Sequence, residues 1–600
     1  MKKLFLLFLA FSVTAAYAND SKLAPELRGN KSSQQVRIVV QYVPGAQVNC
    51  SGLIGLVVCA VDDIVALGGT ILAPLPLVNG VVALLDGPGI QSLSNDPNVV
   101  YISTDRPLAP TLSNAAPAIN AFAAWQSGYT GAGIGVALID SGVASHPDLN
   151  GGILGMSRVV WNQSFVPGNS SANDQFGHGT HVAGLIAGDG ASSTGRNYTR
   201  TFEGIAPQAN IVNLRVLDQN GAGTDSAVIA AINEAIALKP IFNIRVINLS
   251  LGRPVYESYK LDPLCQAVEA AWKSGIVVVV AAGNNGRFLP TSGYGTVTSP
   301  GNDPYVITVG AMKPMGTPTR VDDLMASYSS KGPTYIDSIA KPDIVAPGNL
   351  LVSLAAPGSS LYSQYPGNQV PYSFYVNGGS STPSSSYFSL SGTSMATGVV
   401  SGVVADLLQK SPGLNPNQVK ARLMKTAWKS LPAYSSTTDP ATGITYTDQY
   451  DVFTVGAGYV DVEAALNNND LAQGTAMSPA ASYNANGYVY LNDSPSAVWN
   501  TSPTWSNAVV WGSQQFLVGA PAFAASGTPL WGEGNALWGS NSLWGAGGVN
   551  GSNSLWGAGT VNGNNSLWGA GGVNGSNSLW GAGSVDGSNS LWGASFGGEQ

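Results

Sequence analysis

The chain has 600 residues, 26 Lys and Arg against 34 Asp and Glu, and a net charge of −8 with only 10% charged residues. That balance excludes a protein whose main partner is nucleic acid, since such binding needs clustered cations. At 44% apolar residues, the length is enough for one large core and smaller flanking units.

Met1-Lys2-Lys3 is a basic start, Leu4 to Val13 is apolar, and Ala16-Tyr17-Ala18 has the small-x-small form of a cleavage site. Residues 1–18 therefore read as a secretory signal peptide, and the mature chain is expected outside the cell. No cysteine follows the site to carry a lipid. No later run of about 18 apolar residues suggests a membrane span. Residues 19–110 form a second unit. Val36-Arg37-Ile38-Val39-Val40 reads as a strand, followed by turn signals at Pro44-Gly45, Gly68-Gly69 and Gly87-Pro88-Gly89. Ile90 to Leu93 reads as helical and Val99 to Ile102 as a strand, which makes a small α+β unit. Cys50 and Cys59 either bridge in an oxidising compartment or stay as two thiols. Cys265, on a helical stretch at 261–273, reads as a small core residue.

From 111 to 470, strands expected at about 134–139, 211–217, 245–250 and 276–281 alternate with helices at about 180–188, 225–238 and 261–273. This is the pattern of βαβ units, hence an α/β fold with a doubly wound, mostly parallel sheet. Three segments within it carry chemistry. Asp140 ends the apolar run Ile134 to Ile139. His178 lies in Gly177-His178-Gly179-Thr180-His181, just before a helical stretch, and glycine on both sides is expected to let a substrate backbone come close. Ser394 lies in Gly392-Thr393-Ser394-Met395-Ala396, before another helical stretch.

An acid, an imidazole and a hydroxyl in the order Asp, His, Ser is one of three unrelated orders that build the same nucleophilic triad. A serine hydroxyl is a weak nucleophile until an imidazole takes its proton, and a buried carboxylate holds that imidazole in the right tautomer. A helix N-terminus at Ser394 favours the negative charge of a tetrahedral intermediate. The chain has three histidines, at 146, 178 and 181. His178 and His181 could share a metal, but no Cys or Glu of suitable spacing joins them. His181 reads as a packed helix residue and His146 as a turn residue. An aspartic protease would need a second Asp-Ser/Thr-Gly, which is missing.

These segments, in this order, resemble the subtilisin-like (subtilase) family of serine proteases over roughly residues 120 to 466. The resemblance implies further roles. Asn284, in Ala281-Ala282-Gly283-Asn284-Asn285-Gly286, matches the asparagine that completes the oxyanion hole, with Asn285 as the competing position. Gly221, Ala222 and Gly223 match one edge that pairs with a bound peptide, and Ser250, Leu251 and Gly252 match the other. Ser250 to Gly252 with Ala281, Ala282 and Gly283 would line the primary specificity pocket, whose small residues imply room for a sizeable apolar side chain. Residues 19–110 resemble the family's inhibitory propeptide, removed by a cut between Leu108 and about Ala116. Protein and peptide substrates are implied, with the chain's own propeptide as inhibitor. The chemistry requires no cofactor, and a structural calcium is an expectation from the family, with Asp148 and Asp174 near candidate loops. Two departures stand out. Gly398 occupies a place where the family has proline in the first helical turn, and a Ser/Tyr/Gly/Pro-rich stretch at 355–386 reads as a long surface loop.

Residues 471–600 are different material. Ten of the fourteen tryptophans fall between Trp499 and Trp592, and the last five, Trp544, Trp556, Trp568, Trp580 and Trp592, recur every twelve residues. Such a period suits either a solenoid-like stack or a loosely ordered aromatic array. One charge, Asp586, in the five repeats argues against electrostatic binding. The expected fate is either attachment to a cell surface or polymer, or removal on maturation. The competing reading of the whole chain is a surface adhesin whose protease processes only itself.

Overall fold

A computed structural model describes residues 19–511, except 25–26, 44–49, 52–57, 60–61, 106, 111–116, 152–154, 316–319, 440–441, 484–488, 495 and 501, and the backbone of short strands within 542–591. The signal segment expected at 1–18 lies outside the described residues. The chain divides into two units, Met1–Thr104 and Asp105–Gln600.

In the first unit, β1 (Val36–Tyr42), β2 (Thr70–Leu75), β3 (Gly80–Leu85) and β4 (Val99–Thr104) form a sheet in the order β2-β3-β1-β4. The β1 pairings with β3 and β4 are antiparallel. Between β3 and β4 lies α1 (Gly87–Leu93), whose first turn is capped by the Asp86 carboxylate accepting from Gly89 N–H. Ile38, Val82, Ile90 and Ile102 fill its core. Cys50 and Cys59 are backbone partners in a short antiparallel pair.

The second unit opens with β5 (Pro107–Pro110) and is organised by a central sheet. Its strands are β6 (Gly135–Asp140), β7 (Val159–Ser164), β8 (Asn210–Arg215), β10 (Ile244–Leu249), β12 (Val277–Ala281), β13 (Ile307–Lys313) and β14 (Leu324–Met325). The order is β14-β13-β12-β10-β6-β8-β7, and β15 (Ile344–Pro347) also pairs with β13. Every pairing is parallel except that of β13 with β14. Strands such as Val277-Val278-Val279-Val280-Ala281 are buried throughout, as a parallel sheet covered on both faces requires. Two short strands, β9 (Gly223–Thr224) and β11 (Leu251–Gly252), follow β8 and β10.

Four helices complete the frame: α2 (His178–Ala187), α3 (Asp225–Phe242), α4 (Pro263–Lys273) and α7 (Thr393–Lys410). The helix expected at 225–238 runs four residues further, through Pro240, and stops at Asn243 in the left-handed conformation. Residues Thr393–Leu408 of α7 are all buried, so this helix is central to the fold. It packs on α2, β10, β12 and β13. Gly398 stands in its second turn, not the first. There it faces Val182 and Leu185 of α2, where a Cβ would lie 3.3 Å from Val182.

The stretch at 355–386 is folded, contrary to its reading as a loop. It holds α5 (Ser360–Gln364), β17 (Gln369–Pro371), α6 (Tyr372–Tyr375) and the first half of β18 (Pro383–Leu390). With β16 (Leu351–Leu354), these strands form an antiparallel sheet in the order β16-β18-β17. Tyr375 and Tyr387 supply a buried aromatic centre with rings 5.2 Å apart, which the high Ser and Gly content concealed.

Packing continues past residue 470. Ser478 Oγ donates to Asp343 (2.5 Å) and accepts from Lys420 (2.8 Å), and Trp499 and Trp511 are buried edge to face. In the repeats, strands at Ser542–Trp544, Ser554–Trp556, Ser566–Trp568 and Ser578–Trp580 pair in parallel with a shift of twelve residues. A second parallel set runs from Gly547–Asn550 to Gly583–Asp586. Two short strands therefore recur in each twelve-residue repeat. Among the described residues, no helix is long and apolar enough to cross a membrane.

Gly402 tests the packing of α7. A Cβ there would lie 2.6 Å from Ile205 Cβ. Gly402→Ala should cost about 1–3 kcal/mol from overpacking, partly offset by about 1 kcal/mol of helix propensity. The expected result is a shorter half-life of thermal inactivation, whereas Gly413→Ala, with open space around it, should leave it unchanged.

Candidate active site

Asp140, the last residue of β6, and His178, the first residue of α2, meet at the carboxyl edge of the sheet, where open α/β sheets place ligands. Asp140 Oδ1 lies 2.6 Å from His178 Nδ1 and also accepts from Ser141 N–H at 2.7 Å. Both side chains have no solvent exposure. A proton held on Nδ1 by the carboxylate leaves the Nε2 lone pair of the neutral ring for chemistry.

The glycines beside His178 serve the protein's own packing. A Cβ on Gly179 would run into the Gly142 carbonyl of the Asp140 loop. One on Gly177, which has φ 105°, would lie 2.5 Å from Ser359 Oγ. Asp174 secures this helix start. Its Oδ1 accepts from Ser141 Oγ (2.9 Å), Phe176 N–H (3.1 Å) and Gly177 N–H (2.6 Å), and its Oδ2 from Thr180 N–H (2.8 Å) and Oγ1 (2.6 Å). Burial pushes the Asp174 carboxyl above its ordinary value, and these bonds oppose that shift. Asp148 is engaged as well, by Ser192 N–H (2.8 Å) and Tyr387 Oη (2.7 Å). Both carboxylates considered for calcium thus bind protein donors. No cluster of three or more His, Cys, Asp or Glu able to hold a metal occurs among the described residues.

The three histidines part company. His181 Nε2 lies 3.1 Å from the carbonyls of Leu351 and Phe388, so it ties α2 to the β16-β18 sheet. Burial, then the nearby His178, push its pKa well below the ordinary value. His146 contacts the Ser386 carbonyl through Nε2 (3.0 Å), and burial lowers its pKa too.

Ser394 is the second residue of α7. Its Oγ donates to the Ser250 carbonyl at 3.2 Å. Asn284 approaches the same helix start: its Oδ1 accepts from Thr393 N–H (2.9 Å) and Thr393 Oγ1 (3.0 Å). Because a main-chain N–H can only donate, the amide orientation is fixed, and Nδ2 faces away from Thr393. Nδ2 is buried and has no hydrogen-bond partner. A buried donor without a protein acceptor costs about 1–3 kcal/mol. Asn285 is held instead through its backbone, N–H to Ser330 Oγ at 3.0 Å.

The two edges carry a strand between them. β5 pairs antiparallel with β9, Leu108 opposite Gly223, and with β11, Ala109 opposite Gly252 and Pro110 opposite Leu251. Gly221 and Ala222 form the turn before β9, held by Asp218, which accepts from Ala222 N–H at 3.0 Å. Ala281 ends β12, and Ala282 accepts from Thr298 N–H at 3.0 Å. Thr298 also stands between Gly252 and Gly283. A Cβ on either glycine would meet its side chain, at 2.5 Å and 2.9 Å respectively. Thr298 and Thr393 stand in this region without having been named from the sequence, and Asp174, named there only for calcium, instead anchors the start of α2. Thr393 lay inside a quoted motif, whereas Thr298 and Asp174 carry no local signal.

The Subtilase family profile matches residues 131–488, more than half of the chain. The chain belongs to the subtilase family. Serine protease AprX of Bacillus subtilis is 39% identical over 338 residues, 55% of this chain and 70% of that one. Subtilisin E of the same species is 34% identical over 430 residues, 71% of this chain and 92% of that one. Among solved structures, fervidolysin from Fervidobacterium pennivorans, described as a keratinolytic enzyme related to subtilisin, has a TM-score of 0.53 at 24% identity. That match covers 76% of this chain and 64% of fervidolysin, and it shows a shared fold. This subtilase is accordingly a serine peptidase by family.

Asn284→Ala should lower kcat by about 10²–10³-fold with little change in KM, the size found on removing the oxyanion donor of subtilisin, itself a member of the family. Asn285→Ala should leave kcat within a few-fold. The reverse order, read from initial rates on a chromogenic peptide, would reassign the donor.

Proposed function

We propose that this subtilase is a secreted endopeptidase, made as a self-processing zymogen, that cuts proteins through an acyl-enzyme on Ser394. His178 takes the Ser394 proton and returns it to the leaving amine, while Asp140 holds the imidazole. Asn284 Nδ2 and the Ser394 N–H receive the oxyanion. Gly223, Leu251 and Gly252 pair with the substrate backbone. The chemistry draws on these residues and requires no cofactor; a structural calcium, if the protein takes one, would act on stability.

The observation that carries this reading is the position of β5. An extended segment of the chain already lies between β9 and β11, as a bound peptide would. The described strand ends with Pro110 opposite Leu251, the residue after Ser250, whose carbonyl accepts from Ser394 Oγ. We therefore assign the self-cleavage to Thr111–Leu112, inside the interval expected from the sequence; residues 111–116 lie outside the described residues. With Thr298 closing the space between Gly252 and Gly283, the primary pocket should favour small side chains over the sizeable apolar ones first expected. Thr111 fits that preference. Residues 19–111 would act as the inhibitory propeptide, and the Trp repeats as a separate attachment module for a surface or polymer.

Intact mass of the exported chain tests the reading. The wild type should begin at Leu112, and Ser394→Ala at Asn19. Identical, unprocessed masses would overturn it and favour the adhesin. The rate should also fall on the acid side as His178 takes up a proton, because only the neutral ring can accept the Ser394 proton. Burial lowers the pKa of both other imidazoles, so that limb of the profile reports His178. A flat acid limb would count against this base. Truncation to separate enzyme from attachment belongs after residue 511, because Trp499 and Trp511 are packed.

A further inference from the structure

Behind Ser394 runs a closed chain of polar groups. Ser401 Oγ, two turns further along α7, donates to Asn248 Oδ1 at 2.9 Å. Asn248 Nδ2 donates to Ser250 Oγ at 2.9 Å, and Ser250 Oγ donates to the Ser394 carbonyl at 2.8 Å. Ser394 Oγ returns a bond to the Ser250 carbonyl at 3.2 Å. All four residues have no solvent exposure.

The direction of the chain follows from its end. A carbonyl can only accept, so the Ser250 hydroxyl proton is committed to Ser394. Ser250 Oγ must then accept, which turns the Asn248 amide so that its NH₂ faces Ser250. That leaves Asn248 Oδ1 for the Ser401 proton, so each direction is set while the bond from Ser250 Oγ to the Ser394 carbonyl stands. Both the main chain and the hydroxyl of Ser394 are thus gripped by one residue, Ser250, whose own position is set from inside the core.

We propose that Ser401 and Asn248 are positioning residues for catalysis, acting through Ser250 on the placement of the Ser394 nucleophile. This rests on Ser394 as nucleophile, and it adds two residues that touch no substrate. Losing the Ser401 hydroxyl leaves Asn248 free to turn and release Ser250. The loss should appear in the step where Ser394 attacks and not in binding, because the edges β9 and β11 keep their backbone pairing.

The test compares Ser401→Ala, Ser401→Thr and Ser250→Ala as full-length, exported enzyme, with active sites counted by titration. Both alanine variants should lose about tenfold in kcat, the size of one buried hydrogen bond, with KM within twofold on an extended peptide. Inactivation by a small organic sulfonyl fluoride, which reports the nucleophile alone, should slow in parallel. Ser401→Thr keeps a hydroxyl and should recover most of the rate. If both alanine variants keep kcat and inactivation rate within twofold while melting earlier, the network is structural only and the proposal fails. If Ser401→Ala does not fold, Ser250→Ala, which keeps its backbone bonds, decides alone. Activity persisting in Ser394→Ala would instead sink the nucleophile assignment, a different outcome from either.

Discussion

A carboxylate with no exposure to water holds an imidazole with none, at 2.6 Å, and the rest of the site depends on making that pair tolerable. Buried charge is costly unless each partner is fixed and hydrogen-bonded. Here the strand β6 delivers Asp140 from one side and the first turn of α2 delivers His178 from the other. Ser141 joins the two, donating its N–H to Asp140 and its hydroxyl to Asp174, and accepting from Gly179 N–H at 2.9 Å. Asp174 then takes the free N–H groups at the helix start. The His178 ring is therefore anchored by the same bonds that begin its helix.

The second helix start works differently. At α7 the first residue, Thr393, spends its N–H and hydroxyl on Asn284, and its Oγ1 accepts from Gly283 N–H at 3.1 Å. This leaves one amide donor buried and unmet. A protein interior rarely strands a donor without reason, and the cost is offset when a substrate oxygen gains charge beside it. One helix N-terminus thus has its donors met by Asp174, and beside the other the Asn284 Nδ2 has no protein acceptor.

The same backbone logic extends to the cleft. Two strands of two residues each, β9 and β11, would be marginal alone, and β5 makes them a sheet. Such edges recognise main chain and leave side-chain choice to a few positions. Thr298 stands where a side chain on Gly252 or Gly283 would fall.

Much of this was legible in order along the chain. Asp140, His178 and Ser394 stand in short motifs whose residue types follow from nucleophilic chemistry, and the apolar run of β12 follows from burial on both faces. Those signals are local. What the sequence could not reveal depends on residues that meet from far apart: Asp174 at the start of α2, Thr298 between Gly252 and Gly283, and Ser401 reaching Asn248 across 153 positions. It also misjudged the stretch at 355–386, where aromatic packing of Tyr375 and Tyr387 overrides a Ser- and Gly-rich composition. The sequence by itself determined which groups could do the chemistry, because that is a matter of residue type and chain order. Only the tertiary structure decided which donor is left unmet and which pocket is filled, because hydrogen-bond satisfaction and occupied volume are properties of the packed interior.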